Sequence, residues 1–392
     1  MRGNLKYIDF GDVFSIKMGK TPSRNDKTCW DDEKKTNNKW VSIADITKNE
    51  GKIIYDTKEY ISDSAASQIY KVTKGSLLMS FKLTIGKMAF AGYDLYTNEA
   101  IISISENNKY DLKFLYYYLL FYPWNTLTDG SEKVKGKTLN KSSISKIKLP
   151  ILEIFEQRCI VELLDAEFAK IDAIKANAEK QLQWAKDLFQ SALKDLLTPK
   201  DGWEMVSIGD KFKTYSGGTP LKSHKEYYEN GKIPWINSGE VAKKYIYCCS
   251  NFISEEGLRN SSAKYFPFNT VLVAMYGATA AQAGILKFEA TSNQAVCGLL
   301  PNKDFVPEFV YYWFLLNKEK FAAMAQGGAQ PNLSQIKIKA MKIPLISLQE
   351  QEYISEILGQ IESKIYLLEE NFQETVYLCN DLKQSLLKDI FA

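Results

Sequence analysis

The sequence predicts an α+β protein. Two globular, mixed α/β domains alternate with two long helices that pair as an antiparallel coiled coil, and an internal pseudo-twofold repeat relates the halves. Three observations predict this. Residues 150–197 and 344–391 align without a gap at an offset of 194, with 16 of 48 positions identical. A repeat of that period means a domain plus a connector rather than a solenoid. Charge alternates along the chain, at net +7 over 1–150, −3 over 151–199, +5 over 200–344 and −6 over 345–392. Both acidic segments carry a heptad-like apolar seam in the same register.

Residues 1–150 form the first domain. Short apolar runs bounded by glycine and polar residues, such as Ser76–Ser80 and Ala100–Ile104, read as strands. Phe114-Leu115-Tyr116-Tyr117 has helical spacing, and its tyrosines read as core rather than as stacking platforms. Residues 151–199 form the central helix, with a seam of Ile160, Leu164, Ile171, Ile174, Ala178, Ala185, Leu188 and Ala192. No proline or glycine interrupts 151–198, and Thr198-Pro199-Lys200-Asp201-Gly202 ends the run. Residues 200–344 repeat the first domain, with Val271–Met275 as a strand and Phe309-Val310-Tyr311-Tyr312 in the second apolar stretch. Residues 345–392 are the C-terminal helix, with Ile354, Leu358, Ile361, Ile365, Leu368, Phe372, Cys379, Leu382 and Leu386 on its seam. Stripes this narrow cannot hold isolated helices, so each needs a partner. The partner is the other copy, returning antiparallel after the intervening domain; a homodimeric coiled coil is the competing arrangement. The expected pairing residues are Ile160, Leu164, Ile171, Ile174, Leu188, Ile354, Leu358, Ile365, Leu368 and Leu382.

Composition narrows the chemistry. The chain has 392 residues, enough for two or three cored domains. No apolar run reaches a membrane span, and the first residues lack a signal-peptide core. The six cysteines (29, 159, 248, 249, 297 and 379) form no C-x-x-C pair, which suits reduced thiols in a cytoplasmic protein. A single histidine, His224, argues against a His-based metal site or triad. Gly19-Lys20-Thr21 and Gly136-Lys137-Thr138 imitate the end of a phosphate-binding loop, but Phe14 and Ser131 stand where its first glycine belongs. No catalytic motif, metal site or cofactor is expected.

Three loop types recur in both basic domains. The first is the Gly-x-Thr-Pro turn, Gly19–Pro22 and Gly217–Pro220, followed by Ser23, Arg24 and Ser223. The second is the stretch Ser80–Lys87, answered by Ala274–Thr279. The third is Gly136-Lys137-Thr138-Leu139-Asn140, answered by residues 327–333. Glycine admits backbone close to phosphate, and Lys, Arg, Thr, Asn and Gln donate to phosphates and base edges. A tight turn with capping side chains is the plainer reading of each loop. Six such loops on basic domains favour polyanion binding. The candidate polyanion contacts are Lys20, Thr21, Arg24, Lys82, Thr84, Lys87, Lys137 and Asn140 in the first domain. In the second they are Thr219, Ser223, Tyr276, Thr279, Gln330 and Asn332. Two further short matches complete the common skeleton: Trp40-Val41-Ser42 with Trp235-Ile236-Asn237, and Asn98-Glu99-Ala100 with Asn293-Gln294-Ala295.

At the Gly-x-Thr-Pro turns, the Ile/Leu-Pro-Ile/Leu-x-x-x-x-Glu-Gln-x-x-Ile segments (Leu149–Ile160 and Ile343–Ile354) and the order domain, helix, domain, helix, the chain resembles the specificity subunit (HsdS) of type I restriction–modification systems. The resemblance covers the whole chain. It implies two target-recognition domains, each reading one half of an asymmetric split sequence in double-stranded DNA. The helices would act as a ruler for the unread spacer and dock two adenine-N6 methyltransferase (HsdM-type) subunits. A restriction and translocase (HsdR-type) subunit can join, and the chain itself is non-catalytic. Ala274-Met275-Tyr276 departs from the first copy by lacking counterparts of Lys82 and Lys87. The alternatives are a coiled-coil scaffold whose basic domains hold another polyanion or a protein, and an enzyme with no readable motif.

Overall fold

The computed structural model describes residues 6–82, 84–124, 139–324 and 333–392. The chain divides into two compact units, residues 1–177 with 373–392, and residues 178–372.

The first unit is built on a five-stranded sheet in the order Lys17–Met18, Ile101–Ile104, Leu77–Ser80, Met88–Ala91, Ile53–Ile54. Its pairings are antiparallel except the last, which is parallel. Side chains alternate between faces along a strand. Leu77 and Met79 therefore pack with the helix Leu112–Phe121, while Leu78 packs with Val41 and Ile46 on the other face. Both faces are covered, which is why these strands read as continuous apolar runs rather than as alternation. A smaller sheet, Glu59–Tyr60, Lys39–Val41, Tyr96–Thr97, sits in the same unit. A two-stranded ribbon joins Tyr7–Asp9 to Lys148–Pro150 just before the central helix.

The second unit repeats this topology. Its five strands run Thr214–Ser216, Val296–Leu299, Val271–Ala274, Ala283–Leu286, Tyr245–Ile246, again with only the last pair parallel. Phe252–Ile253, Ile233–Ile236 and Thr291–Ser292 form the smaller sheet, and Glu204–Ser207 pairs with Lys342–Leu345.

The central helix spans Ile154–Leu197 and the C-terminal helix Leu348–Phe391, 44 residues each, or about 66 Å. Each contributes one half to each unit, and within each unit the halves run antiparallel. In the first unit Lys383 Nζ meets Asp172 Oδ1 at 2.6 Å, and Leu387 is buried beside Val161 and Leu164. In the second, Lys186 pairs with Glu369 at 2.6 Å, and Phe189, Leu193 and Leu197 pack with Ile354 and Leu358.

The helix starts explain the Glu-Gln signature. Gln157 is fully buried; its Nε2 donates to the carbonyls of Lys109 and Leu152, both at 2.9 Å, and its Oε1 accepts from Asp111 N at 2.9 Å. Gln351 does the same, with Asp304 O at 2.9 Å, Ile346 O at 3.0 Å and Val306 N at 2.9 Å. Each glutamine thus ties the start of a long helix to the loop that leads into its domain's apolar helix. Glu156 caps the central helix by accepting from Glu153 N at 3.0 Å.

The seam differs from the expected one at three positions. Leu164, Ile171, Ile354 and Leu358 are buried, and Ile160, Ile365 and Leu368 are partly buried. Ile174, Leu188 and Leu382 are instead 54%, 61% and 48% exposed. The half-buried and buried positions step by four and three through Ile171, Lys175, Ala178, Leu182, Ala185 and Phe189. That register brings Leu182 and the stem of Lys175 onto the seam and turns Ile174 and Leu188 outward. Lys383 likewise takes the inner place beside Leu382, with its ammonium 4.8 Å from the Phe168 ring centre. Lysine side chains cover apolar surface while keeping their heads wet, so composition alone misassigns such positions.

No helix among the described residues is long and apolar enough to cross a membrane.

Candidate nucleic-acid interface

In each unit the two short sequence matches and the Gly-x-Thr-Pro turn meet at one place. In the first unit Gly19 N donates to Ile101 O at 3.2 Å and Lys20 N to Thr97 O at 2.9 Å. The turn lies so close that a Cβ on Gly19 would collide with the Thr97 carbonyl, so glycine is required there. The Trp40 indole donates to Lys20 O at 3.2 Å and that of Trp30 to Ser23 O at 3.0 Å, pinning the turn from below. The Thr21 hydroxyl donates to the Glu99 carboxylate.

The second unit is pinned alike. Gly217 N donates to Val296 O at 3.0 Å and Gly218 N to Ser292 O at 2.8 Å; a Cβ on Gly217 would strike Asn293 O. The Trp235 indole donates to Gly218 O at 2.9 Å and the Tyr228 hydroxyl to Pro220 O at 2.5 Å. Thr219 donates to Gln294, the counterpart of Glu99. Asn237 and Asn293 join at 3.0 Å, linking the remaining pieces of the skeleton. Backbone and anchors are shared, whereas the groups presented differ.

Charge gathers around Glu99. Burial disfavours its ionised form, but the Thr21 hydroxyl, its own backbone amide and the nearby charges of Lys82 and Arg24 outweigh that, holding its carboxyl below the ordinary range. Lys20, Thr21, Arg24 and Lys82 therefore share one site. Lys82 also lies 5.4 Å from the ring centre of Phe81. The other candidates stand elsewhere or hold internal partners. Thr84 is exposed on the turn that ends at Gly86, Lys87 pairs with Glu50 at 2.6 Å, and Asn140 caps the helix Lys141–Ser145 by accepting from Ser143 N at 2.7 Å. In the second unit Ser223 is exposed, Tyr276 half-buried, and the Thr279 hydroxyl donates back to Tyr276 O at 3.2 Å. The second and third loops touch in both units, through Leu139 N to Phe81 O at 3.0 Å and Leu333 N to Met275 O at 2.8 Å. Lys137, Gln330 and Asn332 lie outside the described residues.

Glu59, Trp30 and Glu99 belong to this site and were not among the expected contacts. The Asn-Glu-Ala and Asn-Gln-Ala matches carried the signal for Glu99, since they recur at a fixed offset with one side chain changed. The tyrosines of the apolar helices are core, as expected: Tyr117 and Tyr312 are buried, with hydroxyls on Asp165 at 2.6 Å and Glu362 at 2.9 Å of the long helices. His224 lies 2.6 Å from Glu226, and the described residues hold no cluster of three or more His, Cys, Asp or Glu fit for a metal.

Comparison with known proteins matches this architecture. The sequence matches the type I restriction modification DNA specificity domain twice, over residues 3–183 and 200–376. The EcoR124I/EcoR124II specificity subunit of Escherichia coli is 25% identical over 357 residues, 83% of this chain and 86% of that protein. The MjaIX specificity subunit of Methanocaldococcus jannaschii is 23% identical over 362 residues, 85% and 81% of the two chains. Among solved structures, a chain from work on complex assembly and conformational transition of the type I R-M system superimposes with a TM-score of 0.74 at 17% identity, over 99% of both chains. The HsdS subunit from Thermoanaerobacter tengcongensis gives 0.58 at 15% identity, over 100% of this chain and 97% of that one. With both family matches covering the two units, the chain belongs to the family of type I restriction–modification DNA specificity subunits.

Proposed function

We propose that this non-catalytic specificity subunit recognises an asymmetric, bipartite sequence in double-stranded DNA. Residues 1–150 read one half and residues 200–344 the other. The helices in 151–199 and 345–392 set the distance between the halves and dock two adenine-N6 methyltransferase subunits, with a restriction subunit able to join in the cytoplasm. One observation carries this reading. The same turn is pinned by equivalent bonds in both units, yet it presents Thr21, Glu99 and Arg24 in one, and Thr219, Gln294 and Lys222 in the other. A kept frame with changed side chains is what two readers of different half-sites need, since frame contacts position and side chains specify.

Docking of two like partners is supported by exposed apolar pairs at equivalent helix positions. Trp184 and Leu188 are 67% and 61% exposed in the second unit, and Leu378 and Leu382 are 54% and 48% exposed in the first. Residues four apart share a helix face, so each pair forms a small apolar ridge.

The test is methylated-adenine mapping in cells carrying this subunit with its methyltransferase. Replacing residues 1–150 by the matching segment of another family member should change one half of the methylated motif and leave the other intact. A change in both halves, or methylation with no sequence dependence, overturns the reading.

A further inference from the structure

The Arg24 guanidinium is held on three sides. Both Nη atoms reach the Glu59 carboxylate, Nη2 to Oε2 at 3.2 Å. Its Cζ lies 4.0 Å from the ring centre of Trp30 and 4.9 Å from that of Trp40. The two indoles meet edge to face at 5.1 Å and are themselves fixed to the carbonyls of Lys20 and Ser23. The Arg24 side chain nevertheless keeps about half its surface (52%) in solvent and borders an open cleft of about 270 Å³ with Lys27, Lys58 and Tyr60.

A guanidinium has five N–H groups arranged as two forks. Glu59 takes the fork between the two Nη atoms, which leaves the side fork of Nε–H and an outer Nη–H. Two parallel donors at that spacing match the O6 and N7 acceptors of guanine in the major groove. The two indoles hold the guanidinium in place from two sides, and the carboxylate fixes its rotation. A phosphate needs neither constraint. The second unit keeps the aromatic pair, with Tyr228 and Trp235 in T-shaped contact at 6.0 Å. It places Lys222 where Arg24 stands and, in strand register, Asn251 where Glu59 stands.

Resting on the recognition role proposed above, we infer that Arg24 is a specificity-determining residue that reads a guanine in the half-site bound by residues 1–150. Glu59 is its positioning residue, and the second unit lacks this reading device. The half-site of the first unit therefore contains a G·C pair that Arg24 makes obligatory.

The test uses the subunit assembled with its methyltransferase, comparing wild type with R24K, R24A and E59Q by methylome mapping and by DNA binding across salt. Co-purification with the methyltransferase reports that each variant is folded. The expected result is that R24K and R24A relax one G·C position in one half of the motif. Discrimination there should drop on the order of tenfold to a hundredfold, while the other half and the salt slope stay as they are. E59Q should relax the same position less. An unchanged motif with uniformly weaker binding, and a log–log salt slope smaller by about 0.9, would mean a phosphate contact and overturn the inference. An unchanged motif with unchanged binding also overturns it, as does a first half-site with no G·C pair. If the wild-type complex shows no sequence preference at all, the broader recognition reading fails instead.

Discussion

Gln157 and Gln351 show how one side chain fixes the exit of a helix from a domain. Each buried amide satisfies two backbone carbonyls and one backbone N–H that would otherwise be left without partners. Truncating such a group strands them, at about 1–3 kcal/mol for each group left unsatisfied. Gln157→Ala strands three such groups and is therefore expected to destabilise the protein by about 3 kcal/mol or more, read as a lower urea midpoint. A change under about 0.5 kcal/mol would show that water replaces the amide fully. Glu99 carries a pH signature. Its folded carboxyl is held below the ordinary value of 4.5, so the stability it contributes is present at neutral pH and is lost as pH falls through its lower folded value. Unfolding followed from pH 7 into the acid range should show this dependence in wild type and less of it in Glu99→Gln; identical curves would remove Glu99 as a source. The Thr-Pro turns were legible as motifs, but their partners were not. Glu99 lies 78 residues from Thr21, and nothing local in a sequence announces a contact at that separation. Asn140 illustrates the converse, because a residue type suited to bases is equally suited to a helix cap.

At the level of elements, the long helices were legible in existence, extent and repeat, because an uninterrupted seam and flanking breakers are strong local signals. Their register was not, since Ile174, Leu188 and Leu382 sit one residue from the inner positions taken by Lys175, Phe189 and Lys383. Neighbouring residues on a helix point about 100° apart, so the two placements predict opposite outcomes for substitution. Phe189→Ala should cost about 3 kcal/mol of stability. Leu188→Glu should cost under about 0.5 kcal/mol in the subunit alone yet weaken its co-purification with the methyltransferase. Strong destabilisation by Leu188→Glu would restore it to the seam. Gly359 offers a second test. It lies inside the C-terminal helix, and an added Cβ would meet only the Tyr312 hydroxyl at 3.6 Å and Lys244 Nζ at 3.7 Å, ordinary contacts. Gly359→Ala is expected to stabilise the protein by about 0.5–1 kcal/mol, because helix propensity favours alanine and packing does not oppose it. A lower melting temperature would mean that the ion pair of Lys244 with Glu362, at 2.6 Å, needs the open space beside it.

Over the whole chain, duplication and charge act together. The alternation of net +7, −3, +5 and −6 was readable from composition and the antiparallel helix pairing from the repeat, whereas the packing of Leu387 and Phe391 into the core of the first domain was not, because a sequence displays only contiguous segments. This arrangement places each basic domain on two acidic helix halves of distant origin. A polyanion is thereby favoured on the domains and disfavoured on the helices, in keeping with the proposed docking of proteins on the helix faces. The consequence is electrostatic and measurable. If about six lysine and arginine side chains across the two domains neutralise phosphates, log K should fall against log salt with a slope of roughly −5, since each contact contributes about 0.9. Affinity of the assembled complex for its methylated motif would then drop on the order of a thousandfold between 50 and 200 mM salt. Lys20→Ala, which removes an exposed cation from the pinned turn, should flatten the slope by about 0.9 and weaken all sequences alike. Lys364→Ala, on the acidic C-terminal helix, should leave the slope unchanged. Equal flattening by both would mean that DNA follows the helices as well as the domains, and would break the division of labour that the charge pattern implies.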